Sequence, residues 1–154
     1  FLAASVVGRF EGSIEKLTAL AVLMPIIAGM GGNAGTQVLT LMVRGIALGQ
    51  IASSNVPTLV WKEVRVAIIN GLILGVLLGL VVLAWFHNPA LAGVIAVALT
   101  ANFTFAALGG VFVPVTLKRF GFDPALAGGV ILTTITDTLG FLTFLGLATL
   151  ILLR

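Results

Sequence analysis

Asp137 stands in the middle of Gly128 to Gly146, GGVILTTITDTLGFLTFLG, a run that is otherwise almost wholly apolar. Gly129 and Thr133 precede it at spacings of four and Gly140 follows at three, so these residues share one helical face, with Thr136 on its border. A second small and polar face lies upstream: Gly29, Asn33 and Thr40, with Thr36 or Gln37. A lone aspartate deep in a lipid-length helix costs at least ~2.5–3.5 kcal/mol on insertion scales, and such residues mark ion paths or bond a neighbouring helix. The donors on offer are oxygens, with one mid-span carboxylate, no cysteine and a single histidine in the chain. That chemistry suits hard cations. Magnesium gives up its water reluctantly and is held through its hydration shell by one or two carboxylates. If two copies of Asp137 met across a two-fold axis, two charges would neutralise a dication and leave its waters in place. Inward movement of a dication through ~100 mV, negative inside, releases about 4.6 kcal/mol, so a passive channel would suffice for uptake.

Other motifs carry less. Asn88-Pro89-Ala90 matches an aquaporin-type box, but once and in a loop, where a turn opening a helix is the simpler reading. Asn102-Phe103-Thr104 has the glycosylation pattern inside an apolar span, where no glycan is added. The glycine-rich GMGGNAG lacks the preceding strand and following Lys-Ser/Thr of a phosphate loop. His87 reads as a residue of the membrane boundary. No nucleophile–base constellation appears, so catalysis has no support. The net charge of +3 comes from bases in loops, which topology explains without nucleic acid.

The elements that position these residues are membrane helices. Hydrophobic residues make up 60% of the 154 and charged residues only 8%, which excludes an ordinary soluble domain. The fold class is all-α, a polytopic bundle of five spans per subunit forming a single transmembrane pore domain over 1–154. Residues 1–10 read as the tail of a truncated first span, since ten helical residues cover only ~15 Å of a ~30 Å core. A polar loop, 8–16, follows. The second span is 17–43. Pro25 and the glycines at 29, 31, 32 and 35 lead us to expect it bent or partly unwound at mid-membrane. A mixed segment, 46–63, precedes the third span, 64–86, whose Gly71, Gly75 and Gly79 form a close-packing face. The fourth span is 90–117. The fifth, 124–153, opens on Asp123 as N-cap and Pro124 at the first helical position. At 1.5 Å per residue, Asp137 lies ~20 Å from one end of it and ~24 Å from the other.

Arg44, Lys62, Arg65, Lys118 and Arg119 fall on one side of the membrane, and Arg9, Lys16 and Arg154 on the other. The positive-inside rule places the second-to-third and fourth-to-fifth connections in the cytoplasm.

The combination resembles the MgtE family of magnesium channels. The resemblance rests on Pro25 to Gln37, PIIAGMGGNAGTQ, with Val43-Arg44-Gly45, and on Lys62-Glu63-Val64-Arg65 with Asn70-Gly71. It rests also on Lys118-Arg119 with Asp123-Pro124-Ala125, and on Thr133-Thr134-Ile135-Thr136-Asp137 with Gly140-Phe141. It implies a homodimer in a bacterial plasma membrane, whose second and fifth spans line a central pore. It implies that Asp137 binds Mg2+ largely through water. By position, Asn33, the Gly29 and Thr133 backbones and Gly140 would face the same ion. Cytosolic N-terminal and CBS domains that sense magnesium are expected in the full-length protein, outside these residues. Some relatives place an amide two turns before the aspartate; here Gly129 offers no such side chain. Two other functions stay open at this stage: a transporter coupled to H+ or Na+, and a membrane anchor for a soluble domain.

Overall fold

The computed structural model describes residues 1–52 and 54–153; Ser53 of the mixed connecting segment and Arg154 of the charge count lie outside the described residues. Among the described residues six helices follow one another: α1 (Leu2–Arg9), α2 (Glu11–Lys16), α3 (Ala19–Ala47), α4 (Val56–Phe86), α5 (Pro89–Arg119) and α6 (Pro124–Leu152). The last four are each long and apolar enough to cross a membrane, at 29 to 31 residues. The protein is therefore an all-helical, multi-pass membrane bundle.

The boundaries depart from the sequence reading in two places. Glu11–Lys16, expected as loop, is helical. Ile14 turns toward the core, and the Ser13 and Thr149 hydroxyls share a 2.8 Å hydrogen bond that ties α2 to α6. The mixed segment 46–63 is mostly helix as well, because α3 runs on to Ala47 and α4 starts at Val56. Pro57 falls in the first turn of α4, where its missing N–H costs nothing. The Arg65 guanidinium lies 5.9 Å from the centre of the Trp61 ring, so the charged and aromatic residues of this stretch sit on a helix. The short remaining connection is braced by Asn55, whose side chain accepts from the Ala52 N–H at 3.1 Å and donates to the Gln50 carbonyl at 3.0 Å.

Both helix-start signals act as read. Asp123 accepts from the Ala125 N–H at 2.8 Å. Asn88 accepts from the Leu91 N–H at 3.0 Å, with Pro89 at the first position, so Asn88-Pro89-Ala90 is a cap and not a pore box. His87, at φ 52°, turns the chain left-handed between α4 and α5.

The bundle is built around α5, which has buried residues from Leu91 to Pro114 and touches α3, α4 and α6. Its neighbour α4 lies outermost. Gly71, Gly75 and Gly79 face α5 so closely that a methyl group at Gly75 would come within 2.7 Å of the Ala96 carbonyl oxygen. The opposite side of α4 presents Ile69, Leu72, Ile73, Val76, Leu77, Leu80 and Val81, all more than half exposed. Such a surface belongs against lipid tails.

α3 stays helical through Pro25 and the glycines, so it is not unwound there. Pro25 stands only in the second turn, so the one carbonyl it orphans, that of Ala21, lies near the helix start. The glycines downstream serve close contact instead. Gly35 abuts Leu132 of α6, and Gly110 of α5 abuts Val38 and the Gly35 carbonyl.

Candidate functional site

α3 and α6 each bury one side and leave the other uncovered. The covered side of α3 holds Leu20, Leu23, Ile27, Gly31, Gly35 and Leu39. Its uncovered side holds Gly29, Asn33, Thr36, Gln37 and Thr40. On α6, Leu132, Thr136, Gly140 and Phe144 are buried, whereas Thr133 and Thr134 are exposed and Asp137 is half-buried. Two polar stripes thus lie on the outside of a bundle whose other outer faces are apolar.

The hydroxyls on these stripes are turned in a particular way. Thr36 donates to the Gly32 carbonyl, Thr40 to Thr36, Thr133 to Gly129 and Thr134 to Val130, each at 2.8 Å. A threonine hydroxyl carries one proton, so each of these is spent on the backbone of its own helix. What these four hydroxyls leave outward is acceptor capacity only. Together with the Asp137 carboxylate the surface therefore matches partners that donate, such as the water shell of a cation. Among the described residues the one ion pair is Lys62–Glu63 at 3.9 Å, so Asp137 has no basic side chain to neutralise it. Asp137 is the one carboxylate within α3 and α6, so each subunit offers a single carboxylate to any ion on this face.

The site residues named from the sequence separate into two groups. Gly29, Asn33, Thr133 and Asp137 reach the uncovered faces. Gly140 does not: it is buried against Asn102 of α5, where an added methyl would stand 2.7 Å from Nδ2. Thr136 is also fully buried and donates to the Thr133 carbonyl at 3.1 Å. Gln37 lines a crevice of about 180 Å³ with Glu63 and Asn70, turned toward α4.

Sequence reasoning passed over Asn102. It is fully buried, and its Nδ2 donates to the Ile27 carbonyl of α3 at 2.8 Å. A methyl at Gly31 would collide with the same amide. Gly31, two residues before Asn33, and Gly140, three after Asp137, therefore press on one side chain, and this brings Asn33 and Asp137 to nearly the same depth. The signal was present as an amide deep in an apolar span, read only as a sequon.

Fold and site together define a multi-pass helical membrane bundle with a polar stripe and one mid-span carboxylate on its uncovered side. Residues 24–147 match the MgtE family, described as divalent cation transporters. The chain is 32% identical over 148 residues to the magnesium transporter MgtE of Bacillus subtilis, covering 96% of this chain and 33% of that protein. It is 35% identical over 145 residues to the magnesium transporter MgtE of Enterococcus faecalis, covering 94% and 32%. The corresponding protein of Thermus thermophilus is 37% identical over 149 residues, covering 96% and 33%. The chain belongs to the MgtE family, a family of transporters and not of enzymes. It spans about one third of the length of these relatives.

Proposed function

We propose that these 154 residues form the pore unit of a magnesium channel, which conducts hydrated Mg2+ into the cell down its electrochemical gradient. In this reading two subunits pair through the uncovered faces of α3 and α6, and Asp137 from each meets the ion at mid-membrane. Thr133, Asn33 and the exposed backbone at Gly29 accept hydrogen bonds from the ion's water shell. The membrane is the bacterial plasma membrane, and the N-terminal and CBS domains of the full-length protein control the pore from the cytosol.

The observation that carries this reading is the half-buried, unpaired carboxylate of Asp137 on a side of the bundle that its own subunit leaves uncovered. Lipid tails offer such a group no hydrogen bond and no counter-charge. A second subunit and a hydrated cation supply both. In this reading Asp137, Asn33, Gly29 and Thr133 face the ion, and the buried Gly140 and Thr136 support them from behind.

Voltage separates a channel from a coupled carrier. In liposomes holding the chain, Mg2+ influx is expected to follow an imposed negative-inside potential alone, with net flux vanishing where ~30 mV balances each tenfold Mg2+ gradient, as for a charge of two. It needs no proton or sodium gradient. Influx that appears only with such a gradient assigns the protein to the coupled transporters instead.

A further inference from the structure

The amide of Asn102 is costly to keep. Its polar neighbours on α5, Thr100 and Thr104, return their hydroxyl protons to the carbonyls of their own helix, whereas the Asn102 side chain is fully buried and reaches another helix. One of its polar atoms is used, by the Nδ2 bond to the Ile27 carbonyl, but Oδ1 has no donor among the described residues. An apolar side chain shaped to the space would leave no orphaned acceptor. Stability alone therefore does not explain an amide here.

Geometry does. The flat carboxamide is wedged between two glycines on two different helices, Gly31 of α3 and Gly140 of α6, where a methyl on Gly140 would stand 2.7, 2.9 and 3.0 Å from Nδ2, Cγ and Oδ1. The separation of the α3 and α6 backbones is thus fixed by the thickness of this group. Ile27 presents a carbonyl, which can only accept, so the amide nitrogen must face α3 and the axial register of α3 is fixed as well. The same helical turns carry Asn33 on the far side of α3 from Gly31, and Asp137 about 60° round α6 from Gly140.

We propose that Asn102 is a positioning residue for the ion path: it touches no ion, and it sets the spacing and level of α3 and α6 so that Asn33 and Asp137 meet the same hydration shell. This rests on the ion-path reading of those two residues. Outer-layer partners of metal sites typically change affinity or activity by ~10–100-fold when removed, because the ligands they hold lose their aim.

Two readouts on Asn102→Leu keep this inference separate from the function it rests on. The chain has no cysteine, so Val22→Cys on α3 and Leu142→Cys on α6, both exposed, accept spin labels without background. With labelled chain diluted into unlabelled chain, the α3–α6 distance distribution is expected to shift or broaden in Asn102→Leu. The preference for Mg2+ over Ca2+ in liposome flux is expected to fall about tenfold or more. The thermal midpoint is expected to fall, because leucine is thicker than the flat amide between Gly31 and Gly140, so the label distance and the selectivity decide the proposal. An unchanged label distance overturns the proposal whether or not the parent conducts Mg2+. A shifted distance with unchanged selectivity in a conducting parent overturns it too. If Asn102→Leu does not fold, Asn102→Ala, which only removes atoms, is measured by the same two criteria.

Discussion

Replacing Asp137 by asparagine should lower Mg2+ flux by about a hundredfold or more while leaving the protein as stable as before, or more so. The two effects part because they come from opposite sides of one cost. In the folded bundle the carboxylate is half-buried with no basic partner among the described residues, so its charge weakens the fold. Asparagine has nearly the same volume and is far cheaper to hold in a membrane. For the ion the balance reverses. A carboxylate and a dication ~5 Å apart across one layer of water attract by about 6–7 kcal/mol at an effective dielectric near 20. Much of that offsets dehydration and entry into the membrane, but a residue of ~3 kcal/mol already corresponds to about a hundredfold. Liposome flux together with thermal melting in detergent checks the pair of effects. Equal flux from both proteins would make Asp137 a structural residue. Lost flux with lost stability would make its part in conduction indistinguishable from folding.

Gly75→Ala should destabilise the bundle, by contrast with two control glycines nearby. At Gly75 the new methyl meets backbone, standing 2.7 Å from the Ala96 oxygen and 3.2 Å from its Cα, so α4 and α5 must move apart along their whole contact. Overpacking of this kind costs ~1–3 kcal/mol, partly offset by the ~1 kcal/mol gain in helix propensity from glycine to alanine. Gly79→Ala meets the Ala92 oxygen at 3.0 Å, close enough to cost part of that gain. Gly93→Ala meets nothing within 4 Å and should stabilise slightly through propensity alone. Melting temperatures are thus expected in the order Gly93→Ala, Gly79→Ala, Gly75→Ala, highest to lowest. The reverse order would mean that the α4–α5 seam is looser than its geometry implies.

Much of this was legible in the sequence, for identifiable reasons. Hydropathy over four long runs marks membrane helices because lipid leaves the chain few alternatives, and Asn88-Pro89 and Asp123-Pro124 mark helix starts through local hydrogen bonds. The spacing of Gly71, Gly75 and Gly79 marks a seam because it repeats on one side of a helix. Boundaries were less legible. The charges of Lys62 and Glu63 suggest a loop, yet both sit on a helix, with Lys62 outward and Glu63 turned into the crevice that Gln37 lines. Pro25 suggests a break, but its cost falls on a single carbonyl near a helix start. At the site, periodicity could group Gly129, Thr133, Asp137 and Gly140 on one side of α6. It could not say that Gly140 lies 60° round from Asp137, on the part of that side which α5 covers. Nor could it find Asn102, because its partners Ile27, Gly31 and Gly140 are distant in the chain and meet only when three helices pack.

Anomalous scattering from Mn2+, used as a substitute for Mg2+ in crystals of the assembled protein, tests the paired-carboxylate site most directly. The expected result is one metal peak on the two-fold axis at the depth of Asp137, ~4–5 Å from a carboxylate oxygen of each subunit with water between, as a metal–water distance plus a hydrogen bond requires. Asp137 side chains that face lipid or lie apart, with no metal between them, would contradict it.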